Sequence, residues 1–170
     1  QTCSILDMDK LIVAKFGGSA IGVDGEGLPT ILDRVNSLKS DSKVIIVCSA
    51  PLTKVNGKKT SLTDVMLDLG NNSADGNDVS MNVIEQSYSN ILQMVNDEHR
   101  MECNKIIDEM LSLASESLTY AKTEGKFEDE TRAKALAYSG EVLMAHVLTY
   151  ILKSNHIEAD SIALDDWPII

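Results

Sequence analysis

Two short apolar runs, "LIVAKF" at residues 11–16 and "KVIIVC" at 43–48, most constrain how this chain can fold. Both are β-rich and apolar almost without a break, the pattern of strands buried on two faces rather than one. Between them "LPTILDRVNSLKS" places Leu28, Ile31, Leu32, Val35 and Leu38 at helical spacing, with Pro29 in the first turn, where its missing N–H costs nothing. Strand, helix and strand at this spacing predict a βαβ unit and a parallel sheet covered on both faces. The first strand ends abruptly in Lys15, Phe16, Gly17 and Gly18. A glycine pair weakens a strand, so the backbone there either turns tightly or comes close to something.

Further along, "SAPLTKVNGKK" reads as a polar loop, followed by a helix from about Ser61 to Leu69 and a flexible spacer, "GNNSADGND". Long helical patterns are expected at roughly 79–96 and 101–122, and a single apolar helix from about Glu130 to Lys153. "HIEADSIAL" reads as another strand. Residues 1–7 are expected to be an appended or upstream extension, with Met8 a natural start, and 8–170 the N-terminal portion of one domain.

Composition bounds the partners. With 15 Lys and Arg against 26 Asp and Glu, the formal charge is −11. This argues against nucleic acid and anionic membrane as partners, since both demand clustered basic residues. Cys3, Cys48 and Cys103 have no metal-ligand spacing, and Cys48, inside an apolar strand, reads as an inert thiol, which suits a reducing cytoplasm. The longest uninterrupted apolar stretches are too short to span a bilayer, and the first ten residues lack the features of a secretory signal.

Several motifs could carry chemistry. "KFGGS" could form a phosphate cradle, with backbone N–H groups at Gly17, Gly18 and Ser19 facing one spot beside the Lys15 ammonium. On spacing alone a tight turn with a surface lysine fits equally well. "NGKKTS" is not a Walker A loop: Leu52 stands where the first glycine belongs, and Lys59 follows Lys58 where Ser or Thr is required. The acidic stretch after Gly70 fails as a calcium loop, because Asn82 occupies the position of the closing glutamate. His99, His146 and His156 are not grouped as ligands. Ser49 directly follows a strand, at the end where α/β folds bind ligands. Glu141, expected near the middle of an apolar helix, should be paired or face a cavity if buried. Its pattern alone favours a solvated carboxylate near Lys134 and His146.

Taken in order, "AKFGGS", "IIVCSAP", "SLTDVML", "SGEVLMAHVLTYIL" and "DWPII" resemble the N-terminal half of the aspartate kinases, within the amino-acid kinase superfamily. Each piece is weak alone, but the ordered set is specific and spans nearly all of residues 10–170. The resemblance implies a three-layer αβα sandwich with a mainly parallel sheet, incomplete in this chain. It implies ATP-dependent phosphorylation of the aspartate side-chain carboxylate, the entry to lysine, threonine and methionine synthesis, with Mg2+ accompanying ATP. Carried over by position, Lys15 would neutralise the transferred phosphoryl group, and Gly17, Gly18 and Ser19 would cradle the terminal phosphates. Ser49 and Thr63 would hydrogen-bond the substrate, and Glu141 would receive its amino group. In that family the adenine site, further catalytic residues and regulatory ACT domains follow the matched part, so these 170 residues alone are expected to be inactive, and a homo-oligomer is expected.

Overall fold

A computed structural model describes residues 10–162 and shows a mixed α/β architecture. Strand β1 (Leu11–Phe16) pairs in parallel with β2 (Lys43–Cys48), from Leu11 opposite Lys43 to Phe16 opposite Cys48. A single turn, α1 (Gly18–Ile21), and the helix α2 (Leu28–Lys39) connect them. Helix α2 buries Leu28, Ile31, Leu32 and Val35, the stripe its spacing predicts. The βαβ unit is therefore present as expected.

The region from Pro51 onward differs from the polar loop the sequence suggested. It is an antiparallel hairpin, β3 (Leu52–Val55) and β4 (Lys58–Ser61). Asn56 and Gly57 both take positive φ, 49° and 78°, at its tip. An Asn-Gly pair suits such a turn because both central residues must be left-handed. The charged residues around that pair hid the strands from a reading based on apolar runs.

Helix α3 (Leu62–Ala74) begins at Ser61, whose side chain accepts the Asp64 N–H at 3.0 Å. It runs well into the stretch expected to be a flexible spacer, because Gly70 is buried against the Phe127 ring and Ser73 donates to the Leu118 carbonyl at 2.7 Å. Tertiary contacts on one face outweigh the weak helix propensity of Gly and Asn there. Helix α4 (Asn82–Leu92) is shorter than expected, and α5 (Asp97–Glu124) somewhat longer. Helix α5 starts at an Asn96 cap, which accepts the His99 N–H at 3.2 Å, and ends at left-handed Gly125 (φ 67°).

The expected helix over 130–153 is two helices, α6 (Asp129–Ser139) and α7 (Glu141–Ser154), separated at Gly140. Glu141 is thus the first residue of α7 and not a mid-helix carboxylate. Together the two helices are long and apolar enough to cross a membrane by length and composition, but 61% of that apolar window is buried inside this fold. Residues 157–162 of the expected last strand have no regular structure. The rest of that strand, with "DWPII", Cys3 and Met8, lies outside the described residues.

The core is mainly aliphatic, with Met66, Met81 and Met144 filling space and Tyr88, Phe127 and Tyr150 as its large aromatics. Ile12, Ala14 and Phe16 of β1, with Val44, Ile46 and Cys48 of β2, form the half-buried sheet face. Helices α2 and α7 both contact β2. The opposite face is not covered among the described residues, contrary to the two-sided burial expected. Leu11, Val13, Ile45 and Val47 remain 59%, 63%, 44% and 45% exposed.

Candidate functional site

The carboxyl ends of β1 and β2 form one junction. Beyond Cys48 the parallel ladder gains one more bond, from the Ser49 N–H to the Phe16 carbonyl at 3.0 Å. Gly17 then extends the chain (φ −74°, ψ 169°) and caps α1, so the Gly18 and Ser19 N–H groups fall in its first turn, outside the intrahelical ladder. Ser19 is exposed. Lys15, also exposed, lies opposite Val47 on the uncovered sheet face, alongside Leu11 and Val13.

The two glycines differ in what requires them. A side chain on Gly18 would bring its Cβ to 2.9 Å from the Ala50 carbonyl oxygen and 3.4 Å from Leu52 Cδ2, so packing alone excludes it. A Cβ on Gly17 would meet nothing within 4 Å. Packing explains the second glycine of "FGGS" and gives no reason for the first.

Ala50, 3% exposed, is the hub of the junction. Gly18 approaches its carbonyl, and Gly140 approaches its side chain: a Cβ on Gly140 would stand 3.4 Å from Ala50 Cβ and 2.6 Å from the Leu136 carbonyl. The Leu136 carbonyl is what excludes a side chain at Gly140, while the contact with Ala50 is ordinary packing; the α6–α7 break thus rests against the end of β2 and brings Glu141 to the strand ends. Glu141 is exposed, yet its charge reaches inward. Burial pushes the Cys48 thiol up to about 11, and the Glu141 carboxylate adds to the rise. Fully buried Tyr88, from α4, is held well above the ordinary phenol range by desolvation and then by Cys48 and Glu141. Its hydroxyl lies 3.1 Å from both the Ser139 and the Gly140 carbonyl oxygens.

Half-buried Thr63 is in the first turn of α3, and the neighbouring Leu62 N–H donates to the Pro51 carbonyl at 3.1 Å. That bond ties the start of α3 to the segment carrying Ser49 and Ala50. The hairpin between them docks on the loop after α1: Leu52 N–H donates to the Gly22 carbonyl at 3.1 Å, and Asp24 N–H to the Leu52 carbonyl at 2.7 Å. Lys58 and Lys59 are exposed on that hairpin, Lys59 lying 3.4 Å from Glu26. A hydrogen bond from the backbone at Val23, and after it Lys59, hold the Glu26 carboxyl below its ordinary value.

The junction thus gathers Gly17, Gly18, Ser19, Ser49 and Glu141, with Thr63 one backbone hydrogen bond removed and Lys15 on the outer face. Residues that sequence reasoning passed over are Ala50, Gly140 and Tyr88. A glycine inside an otherwise apolar helical pattern was the available signal for the second; nothing local marked Tyr88. The histidines lie apart. His146 Nδ1 is 2.9 Å from Ser161 Oγ, His99 is tilted against Tyr150, and His156 follows α7. Among the described residues no three His, Cys, Asp or Glu side chains group as a metal site. Grooves of about 460 and 490 Å3 lie between α5 and α6 and along β2 and α7.

Backbone donors beside a lysine can hold phosphate oxygens, and a carboxylate a short way off can hold an ammonium group. The model of the amino acid kinase family matches residues 10–169. Comparison with curated proteins gives no match.

Proposed function

The chain belongs to the amino acid kinase family, and from that premise we propose that it is the substrate-binding part of an aspartate kinase, working in the cytoplasm. The reaction transfers the γ-phosphoryl group of ATP to the aspartate side chain. An oxygen of the aspartate β-carboxylate attacks the γ-phosphorus, the bond from that phosphorus to the β,γ-bridging oxygen breaks, and ADP leaves, giving 4-phospho-aspartate. The nucleophile is already ionised at neutral pH, so no strong general base is needed. Rate comes from positioning and from stabilising charge on the phosphoryl group.

In this reading Gly17, Gly18 and Ser19 donate N–H groups to the terminal phosphates, and Lys15 neutralises the moving charge. Ser49 and Thr63 hydrogen-bond the amino acid, and Glu141 binds its ammonium group. Mg2+ would enter with the nucleotide; among the described residues no three His, Cys, Asp or Glu side chains group to hold it, and no step is assigned to it. The observation carrying this reading is the convergence on Ala50, where Gly18 and Gly140 bring the glycine loop and Glu141 to one strand end. The exposed Leu11, Val13, Ile45 and Val47 favour a homo-oligomer or contact with further protein, since such a face is costly to leave in water.

The test is ADP release with L-aspartate and ATP, using this chain and the full-length protein. Turnover by the full-length protein alone supports the reading. Robust turnover by the 170 residues would overturn the claim that they are incomplete. A panel containing glutamate, carbamate and nucleoside monophosphates checks the substrate: preference for any of these over aspartate replaces aspartate kinase with another member of the family.

A further inference from the structure

We infer that Tyr88 is a positioning residue for the amino-acid end of this site, its buried hydroxyl fixing the peptide plane from which Glu141 projects. The inference rests on the reading of Glu141 given above. Tyr88 is 0% exposed and sits on α4, 51 and 52 residues from the two carbonyls its hydroxyl meets. Those carbonyls belong to Ser139, at the end of α6, and Gly140, the cap of α7.

The Gly140 carbonyl shares its planar peptide unit with the nitrogen and Cα of Glu141. It accepts the Met144 N–H at 2.9 Å and lies 3.1 Å from the Tyr88 hydroxyl, whose single proton it shares with the Ser139 carbonyl, also at 3.1 Å. The first is the ordinary opening bond of α7 and moves with that helix. The second comes from a different element and anchors the plane to the core. Gly140 needs such an anchor because no side chain of its own wedges the break, and φ −123°, ψ −113° lies outside helical geometry. The Ser139 hydroxyl donates to the Ala135 carbonyl at 2.7 Å, within the last turn of α6. With burial opposing ionisation, the phenol stays a donor across the physiological range.

A ring that merely filled the core would be equally served by phenylalanine. Tyr88→Phe in the full-length protein keeps the ring and removes the strut. Losing one buried hydrogen bond should raise the KM for L-aspartate roughly five- to tenfold, with kcat and the KM for ATP changed less than twofold. In a Glu141→Gln background, where the aimed group is already gone, the same substitution should add less than twofold. An equal effect in both backgrounds, or a loss shared by ATP and aspartate, overturns the inference and leaves Tyr88 structural. If Tyr88→Phe does not fold, 3-fluorotyrosine at position 88 keeps the hydroxyl and acidifies it with one small added atom; a changed KM for L-aspartate with that for ATP unchanged supports the inference, and an equal change in both overturns it. Should the wild-type protein prove inactive on aspartate, the substrate reading fails by itself. The positioning claim is then decided by the carboxyl carbon NMR signal of Glu141, which moves on Tyr88→Phe if the strut exists and stays if it does not.

Discussion

Replacing each glycine of "FGGS" by alanine separates packing from ligand approach. Gly17 has φ −74°, ψ 169°, which alanine adopts freely, and open space where the methyl would go. Gly17→Ala should therefore be neutral or stabilise by about 0.4–1 kcal/mol, by narrowing the unfolded ensemble. Gly18→Ala puts a methyl 2.9 Å from the Ala50 carbonyl oxygen, which is backbone and cannot swing aside. A carbon–oxygen contact relaxes to about 3.3 Å or more, so the 16–19 and 49–51 segments must part by a few tenths of an ångström. Overpacking of that kind costs about 1–3 kcal/mol. The two neighbours should differ by about 2 kcal/mol, roughly 1 M in urea midpoint for a slope near 2 kcal/mol/M. Equilibrium urea unfolding followed by circular dichroism measures this directly. Equal midpoints would refute the close apposition of glycine loop and β2 end. ATP binding then asks the second question: if Gly17 is present for close approach of phosphate, Gly17→Ala weakens ATP affinity while leaving the urea midpoint unlowered.

Three more outcomes follow from packing and charge. Gly70→Ala would drive its methyl into the Phe127 ring and should cost about 3 kcal/mol; Phe127→Leu in the same chain should recover part of it in the same unfolding assay. His146 has its pKa lowered from 6.5 by burial, so the neutral ring is favoured when folded. Its contribution is present above pH 6.5 and is lost as pH falls through the lower folded value, which ring-proton NMR and urea midpoints at several pH values should show together. Glu141→Gln removes one of the influences raising the Cys48 thiol, so iodoacetamide should modify Cys48 faster in that variant at pH 8–9, read by peptide mass mapping. An unchanged rate would separate Glu141 from the β2 end.

The elements legible in sequence were those with a local cause. The apolar runs of β1 and β2 and the stripe and Pro29 of α2 all act within a few residues of where they are written. The hairpin at 52–61 reads as a polar loop in sequence, because its strands are polar and short and carry no apolar signature. The break at Gly140 was harder. A glycine in an apolar pattern is compatible with a continuous helix, and nothing local marks the φ −123°, ψ −113° that Gly140 takes.

For the site, the sequence determined the cast: a lysine and two glycines after one strand, a serine after the next, a threonine in the first turn of a helix and a glutamate after Ser-Gly. Tertiary structure decided how they meet. It showed that Gly18 is required by the Ala50 carbonyl while Gly17 is not, and that Glu141 heads a helix instead of lying within one. It also brought Tyr88 beneath the Ser139 and Gly140 carbonyls. The division has a physical reason. Propensity, capping and periodicity act over a few residues and are written in the local sequence. Steric exclusion and buried hydrogen bonds act through space, between segments whose separation along the chain carries no trace of their contact.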